Sequence, residues 1–220
     1  MVPSCCRARA GVGAGSVKLL DLFCGAGGAA MGYHRAGFDV VGVDIAPQPH
    51  YPFEFHQADA MTFPLDGFDA IHASPPCPHY ANVTRWTGNP DNHPALIEPM
   101  RQRLQSAGVA WVIENVRTRA LRSPIVLCGS MFGLPVRRHR YFESNMALPW
   151  FMPGCQHRNT DLAFGHKHER AFADAMGCDW MTKMEGRQAV PPAYTEWVGA
   201  RLIESMAAAS GAAAEPGGGV

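Results

Sequence analysis

The sequence has no excess of either charge: its 220 residues carry 19 Lys+Arg against 19 Asp+Glu, and the pI is near 7.1. A chain coated in basic residues is thereby excluded, and any contact with a polyanion must be a local patch. No apolar run reaches the length of about 18 residues that a membrane span needs. Met1 to Lys18 hold charge but no continuous apolar stretch, so no secretory leader is expected. There is no regular cysteine pattern either. The seven cysteines (Cys5, Cys6, Cys24, Cys77, Cys128, Cys155 and Cys178) are odd in number and unevenly spaced. A reduced, cytoplasmic chain is the simplest reading, with most thiols acting as small buried hydrophobes. No internal repeat is present. What is plentiful is apolar residues, 47% against 17% charged, which is the composition of a chain with a core. The length suits one domain. Gly 23 and Pro 18 predict many tight turns.

Strand and helix signals alternate. Lys18–Phe23, Asp39–Asp44, Phe68–Ala73 and Val109–Ile113 are short apolar or β-branched runs that read as strands. Gly28–Ala36, stopped at Gly37, Ala95–Ala107, closed by Gly108, and Pro191–Met206 read as helices. In the last of these, Tyr194, Trp197, Val198 and Leu202 form one apolar stripe behind an initial proline. Such alternation implies an α/β fold with a mostly parallel sheet covered on both faces, whose ligands sit beyond the carboxyl ends of the strands. Residues 1–16 and 207–220 are Ala/Gly/Ser-rich, with little to bury, and are expected to be disordered tails around a single domain, 17–206.

The residues with chemistry fall at those strand ends. Phe23-Cys24-Gly25-Ala26-Gly27-Gly28 joins a strand to a helix, with glycines that let the backbone approach a ligand. It matches neither the dinucleotide fingerprint nor a P-loop, and by itself it reads equally as a tight connection. Asp44 ends the next strand and can accept hydrogen bonds from both ribose hydroxyls; Asp59 is a candidate partner for an adenine amino group. Ser74-Pro75-Pro76-Cys77 holds a cysteine on a stiff backbone at a strand end, and a thiolate is a nucleophile. A buried small residue is the ordinary role for a cysteine, and it is expected for Cys24, Cys128 and Cys178. Glu114, beside the apolar run Val109–Ile113, is a candidate acid whose pKa burial would raise. From Glu98 to Arg140 there are eight arginines (Arg101, Arg103, Arg117, Arg119, Arg122, Arg137, Arg138 and Arg140) against two acids. Such a run is usually a solvated face, but arginine suits phosphate and planar bases, and Arg138 and Arg140 would share one side of a strand.

Taken in order, LLDLFCGAGG, VVGVDI, SPPC, ENV, RRHR and AVPPAYTEWVGARL resemble the cytosine-5 DNA methyltransferase family, across roughly Leu19 to Leu202. CGSMFGLPVRRHRYFE resembles its short, phage-type members. The resemblance implies a Rossmann-like, S-adenosylmethionine-dependent fold with a mostly parallel seven-stranded sheet and one reversed edge strand. It assigns Phe23, Cys24, Gly25, Ala26, Gly27, Gly28, Asp44, Ile45, Asp59, Ala60 and Pro75 to the cofactor. It makes Cys77 the nucleophile, sets Glu114 on the pyrimidine N3 and amino group, and sets Arg138 and Arg140 on the base carbonyl and a nearby phosphate. Pro76, Asn115, His79, Tyr80 and Arg85 would contact the substrate, the last three from a loop that closes over a flipped cytosine. The implied activity is methyl transfer to C5 of cytosine in DNA by a bacterial or phage-encoded cytoplasmic monomer, as in restriction-modification, with no membrane partner.

The chain also departs from that family. Asp44 stands where larger members usually carry Glu, Val136 replaces the Gln that commonly opens the arginine pattern, and Gln188 replaces the Asn of a late segment. Ser144–Met184 is 41 residues long, where larger relatives carry a separate target-recognition domain, so only a reduced recognition element is expected. Cys155, His157, His166, His168 and Cys178 lie there; their spacing matches no strong zinc pattern, and no metal is assigned. Other readings stay open: RNA or a free cytidine nucleotide as substrate, a non-catalytic cofactor- or DNA-binding relative, and a nicotinamide oxidoreductase, which the missing fingerprint disfavours.

Overall fold

Apolar residues alternate along the strands because neighbouring side chains face opposite sides of a sheet. In the computed structural model, which describes residues 16–76, 79, 94–148, 154–163 and 169–213, that alternation splits the core in two. The strands are β1 (Val17–Leu22), β2 (Phe38–Asp44), β3 (Glu54–Gln57), β4 (Ala70–Ala73), β5 (Ala110–Asn115), β6 (Ile125–Leu127), β7 (Val136–Arg137), β8 (Arg140–Ser144) and β9 (Leu162–Ala163). The helices are α1 (Gly28–Ala36), α2 (Ile97–Ala107), α3 (Glu169–Ala175), α4 (Lys183–Gln188) and α5 (Pro192–Ala213). Leu19, Val40, Ala70 and Val112 pack with Tyr33 of α1 and with Tyr194, Val198 and Leu202 of α5. On the opposite face Leu20, Leu22, Val41, Val43, Ile71, Trp111 and Ile113 pack with Ile97, Met100 and Leu104 of α2.

Seven strands form one sheet in the order β3-β2-β1-β4-β5-β8-β6, and β7 pairs β9 separately. β1 to β5 are parallel, while β8 runs antiparallel to β5 and to β6. The mostly parallel, seven-stranded, Rossmann-like α/β sheet expected from the sequence is therefore present. The reversed strand is not at the edge, however: β6 returns to the parallel direction outside it. The chain runs outward from β1 to β3, then crosses back to β4, so a crevice opens where β1 and β4 diverge.

Two further expectations change. Arg138 and Arg140 do not share a strand face, because the chain breaks between β7 and β8 at Arg138-His139. Residues 207–213, expected as tail, continue α5 to Ala213, consistent with alanine's high helix propensity. A third small core joins Phe172, Met176, Cys178 and Met181 to Ala26, Val136 and Ala189. The Ser144–Met184 segment is thus partly packed into the domain. No described helix is long and apolar enough to cross a membrane.

Candidate active site at the carboxyl ends of the parallel strands

The glycine turn follows β1. Phe23 enters it at φ 59°, a left-handed conformation that costs a non-glycine residue roughly 1–2 kcal/mol. Gly25 is also left-handed, at φ 50°, and a Cβ there would meet nothing within 4 Å. Its missing side chain leaves the crevice open. Gly27 and Gly28 have a different purpose. A Cβ on Gly27 would press on Tyr51 and Pro52, and one on Gly28 on the Val190 carbonyl, so these two glycines permit packing. Asp44, at the end of β2, accepts the Gly25 N–H and the Ala46 N–H at 3.0 Å each. It pins the turn with one lone pair of each oxygen and leaves the others for a ligand.

A crevice of about 440 Å³ runs from Phe23, Gly25, Asp44 and Ile45, past Ser74, Pro75 and Pro76, to Glu114, Asn115 and Arg140. A narrower recess continues from it past Cys24, Ala26 and Gly28 down to Asp21. Asp21 is fully buried on β1, and its carboxylate meets no side-chain hydrogen-bond donor among the described residues, the Ala30 backbone being the one group that favours its ionised form. Burial, then the charges of Asp44 and Glu114, hold its pKa well above the carboxylate range. A cation bound in the recess would favour ionisation of this carboxyl and so be held by it.

Glu114 is buried at the end of β5. Burial raises its pKa, opposed by Arg140, Ser74 and Arg138. Arg140 Nε lies 2.9 Å from Glu114 Oε1, yet among the described residues no N–H is directed at that oxygen, which keeps a lone pair for another donor. Beneath it runs a buried polar chain: Tyr33 Oη to His72 Nδ1 at 2.9 Å, and His72 Nε2 to Ser74 Oγ at 2.8 Å. Desolvation depresses the His72 pKa to about 3, so this imidazole is neutral. Asn115 donates to the Pro75 carbonyl at 2.8 Å and accepts the Val116 N–H, clamping the Pro-Pro loop to β5.

Most of the expected site residues meet in this crevice, but not all. Asp59 lies outside it and accepts the Met61 N–H at 2.8 Å; Ala60 is buried in the core. His79 does not line it. Arg138 is buried elsewhere, stacked on Phe172 at 5.3 Å and donating to the Arg187 carbonyl, and burial lowers its pKa to about 9. It lines an adjoining basic crevice with Arg137, His139, Arg140 and Arg187, the last two shared with the first crevice. Asn115 lines the crevice and also holds the Pro-Pro loop, a role the sequence did not suggest. Cys77, Tyr80 and Arg85 lie outside the described residues, as do His166 and His168. Asp21, His72, Ser74, Gln48 and Arg187 were not singled out as site residues from sequence. Only their places at strand ends or next to a departure from pattern could have marked them.

The arginine-rich stretch is less available than its composition suggests. Arg101 is buried in a two-bond pair with Glu143, at 2.6 and 2.7 Å, and also meets Glu98. Arg103 caps the carbonyls of Ala60 and Phe63, and Arg122 pairs with Glu98. Arg117 and Arg119, just beyond the crevice, are exposed. The cysteines divide as well. Burial pushes the Cys178 thiol up to about 12 and raises Cys24 further, so both are inert. Cys128 instead turns its sulfur toward His157, 3.1 Å away, and His139 reaches Cys155 at 3.3 Å. This Cys/His group is one that the sequence spacing did not reveal.

No protein-family model matches the chain. Over 109 residues it is 28% identical to the type II methyltransferase M.NgoMIV of Neisseria gonorrhoeae, a match spanning 44% of this chain and 35% of that protein. Among solved structures, a prophage-encoded E. coli protein assigned as a DNA modification methyltransferase superposes with a TM-score of 0.48 at 23% identity, over 63% of this chain and 51% of that one. The Entamoeba histolytica methyltransferase EhMeth gives 0.47 at 16%, over 65% and 58%. The S. pombe Dnmt2 methyltransferase gives 0.43 at 18%, over 61% and 51%. The chain thus spans little more than half the length of these structures and is similar, over a shared segment, to proteins described as methyltransferases.

Proposed function

We propose that this protein transfers a methyl group from S-adenosylmethionine to C5 of cytosine in DNA, with Cys77 as a transient covalent nucleophile. The observation that carries the reading is the meeting of Glu114, Arg140 and the Pro75-Pro76 loop in one crevice that ends on buried Asp21. Cys77 is the next residue after that loop. The crevice suits the cofactor. Asp44 has acceptor capacity for ribose hydroxyls, the bare Gly25 backbone admits close approach, and the buried Asp21 carboxyl, protonated in the free protein, can ionise against a cationic sulfonium and ammonium. When bound, S-adenosylmethionine supplies the electrophilic methyl group.

The protein's own residues prepare the pyrimidine. C5 of an aromatic cytosine is a weak nucleophile. Addition of the Cys77 thiolate to C6 breaks aromaticity and places electron density at C5. Glu114, whose burial favours the protonated form, donates to N3 and favours that addition. Arg140 faces Glu114 and would serve the base carbonyl as an electrostatic partner. After alkylation, loss of the C5 proton restores the double bond as Cys77 leaves, and the ring regains aromaticity. The target base must leave the duplex, at a cost of a few kcal/mol.

Duplex DNA, transfer RNA and deoxycytidine monophosphate, each incubated with methyl-labelled S-adenosylmethionine, test the substrate. Label in DNA is expected, and label confined to the mononucleotide would overturn the assignment. A duplex carrying 5-fluorocytosine should trap a protein–DNA adduct, because fluorine cannot leave as the proton does. Cys77→Ser should abolish both turnover and adduct while cofactor affinity stays within a few-fold.

A further inference from the structure

Four side chains outside the catalytic crevice converge on one point. They are Cys128 in the loop after β6, His139 between β7 and β8, and Cys155 and His157 from the segment before β9. Their ligand atoms all lie within 4.8 Å of one another. Cys128 Sγ is 3.1 Å from His157 Nε2, and Cys155 Sγ is 3.3 Å from His139 Nε2. The two imidazole rings stand nearly perpendicular, with centroids 5.2 Å apart. In a tetrahedral site with bonds of about 2.0–2.3 Å, ligand atoms lie roughly 3.3–3.8 Å apart. The cluster is within a small contraction or expansion of that geometry.

The surroundings suit a thiolate site. Ser130 Oγ donates toward Cys128 Sγ at 3.6 Å and accepts the Gln156 N–H at 3.2 Å, so one hydroxyl braces both cysteine segments. Two thiolates and two neutral imidazoles would neutralise a divalent ion. The donor set is soft and borderline, as zinc prefers, and four protein ligands leave no open coordination position.

We propose that Cys128, His139, Cys155 and His157 bind one structural zinc ion. The ion fastens residues 154–160 to the loops that flank β7. It also fixes the backbone at His139, whose neighbour Arg140 faces Glu114. His139 is on this reading a positioning residue, and its effect on the catalytic pair is carried by one peptide link. Zinc binding at this cluster requires neither the proposed substrate nor the proposed cofactor.

The test uses the full chain, purified under reducing conditions, with no DNA and no S-adenosylmethionine. Elemental analysis should find close to one zinc per chain. Replacement by cobalt(II) should give the visible ligand-field bands of a tetrahedral site and a near-ultraviolet thiolate charge-transfer band. Cys155→Ser and His157→Gln, both at exposed positions, should lower zinc affinity at least tenfold, whereas His56→Gln, outside the cluster, should leave it unchanged. Chelation of the wild-type protein should lower its melting temperature, giving a readout that needs no variant. A chain that takes up neither zinc nor cobalt, or a Cys128–Cys155 disulfide surviving reductant, would overturn the proposal. So would full metal content in both variants.

Discussion

Asp21 is a buried carboxyl group that folding alone does not need. Its burial without a side-chain partner opposes the ionised form, and the sign of the consequence is fixed by linkage. Below the ordinary carboxylate range Asp21 is protonated in both folded and unfolded chains and costs nothing. As pH rises toward the raised native pKa, the unfolded chain ionises first and gains. Asp21→Asn should therefore raise the melting temperature at neutral pH, by an amount that grows from acid to neutral solution, while weakening S-adenosylmethionine binding at least tenfold by calorimetry. A variant that loses stability without losing affinity would show that Asp21 is merely structural. His72 has the opposite linkage. Its native pKa, near 3, lies below the unfolded value of about 6.5, so stability is lost as pH falls between them. Denaturant melts of the native protein and His72→Gln across that window should converge toward acid pH. At Gly25, alanine should cost about 1 kcal/mol through its left-handed backbone and should also block the crevice, so lost cofactor binding ought to exceed the loss of stability.

Among the elements, α1 and α5 approach each other closely. A Cβ on Gly32 would overlap the Pro192 carbonyl and the Thr195 hydroxyl, while Thr195 Oγ1 donates to Ala29 O at 2.8 Å. Gly32→Ala should cost about 1–3 kcal/mol by overpacking, measured by urea unfolding. The β5–loop clamp gives a functional counterpart. Asn115→Ala removes the bond to the Pro75 carbonyl, and it should lower kcat with little change in cofactor affinity. Element identities were largely legible in the sequence. Gly37 and Gly108 stop α1 and α2 in left-handed caps where expected, because only glycine adopts that conformation cheaply. What escaped were pairings between distant segments. Arg101 occupies the buried stripe of α2 because Glu143, 42 residues later, meets it, and no local pattern announces that partner. Arg138 and Arg140 lose their shared face because the strand breaks between them.

For the whole molecule, equal numbers of acids and bases conceal an uneven distribution. The carboxyl groups of Asp21, Asp44 and Glu114 surround the crevice, while exposed Arg117 and Arg119 lie beside it. Because Arg101, Arg103 and Arg122 are committed to the protein itself, the described part of the arginine-rich stretch offers fewer cations to phosphates than its composition suggests. Each neutralised phosphate contributes about −0.9 to the slope of log K against log salt, so a slope shallower than about −4 is expected for duplex DNA. Fluorescence anisotropy across a salt series would measure it, and Arg117→Ala should flatten the slope by about 1.

The order of apolar runs, glycines and prolines was enough to determine an α/β chain with a mostly parallel sheet, and to mark Asp44, Pro75-Pro76 and Glu114 at strand ends. Those signals are local, since backbone propensity and side-chain alternation act within a few residues. Tertiary structure alone decided which ionisable groups are satisfied and which are not, leaving Asp21 without a side-chain partner and spending Arg101. It also gathered Cys128, His139, Cys155 and His157 from three loops. Such groupings depend on distances across the fold, which spacing along a chain does not encode.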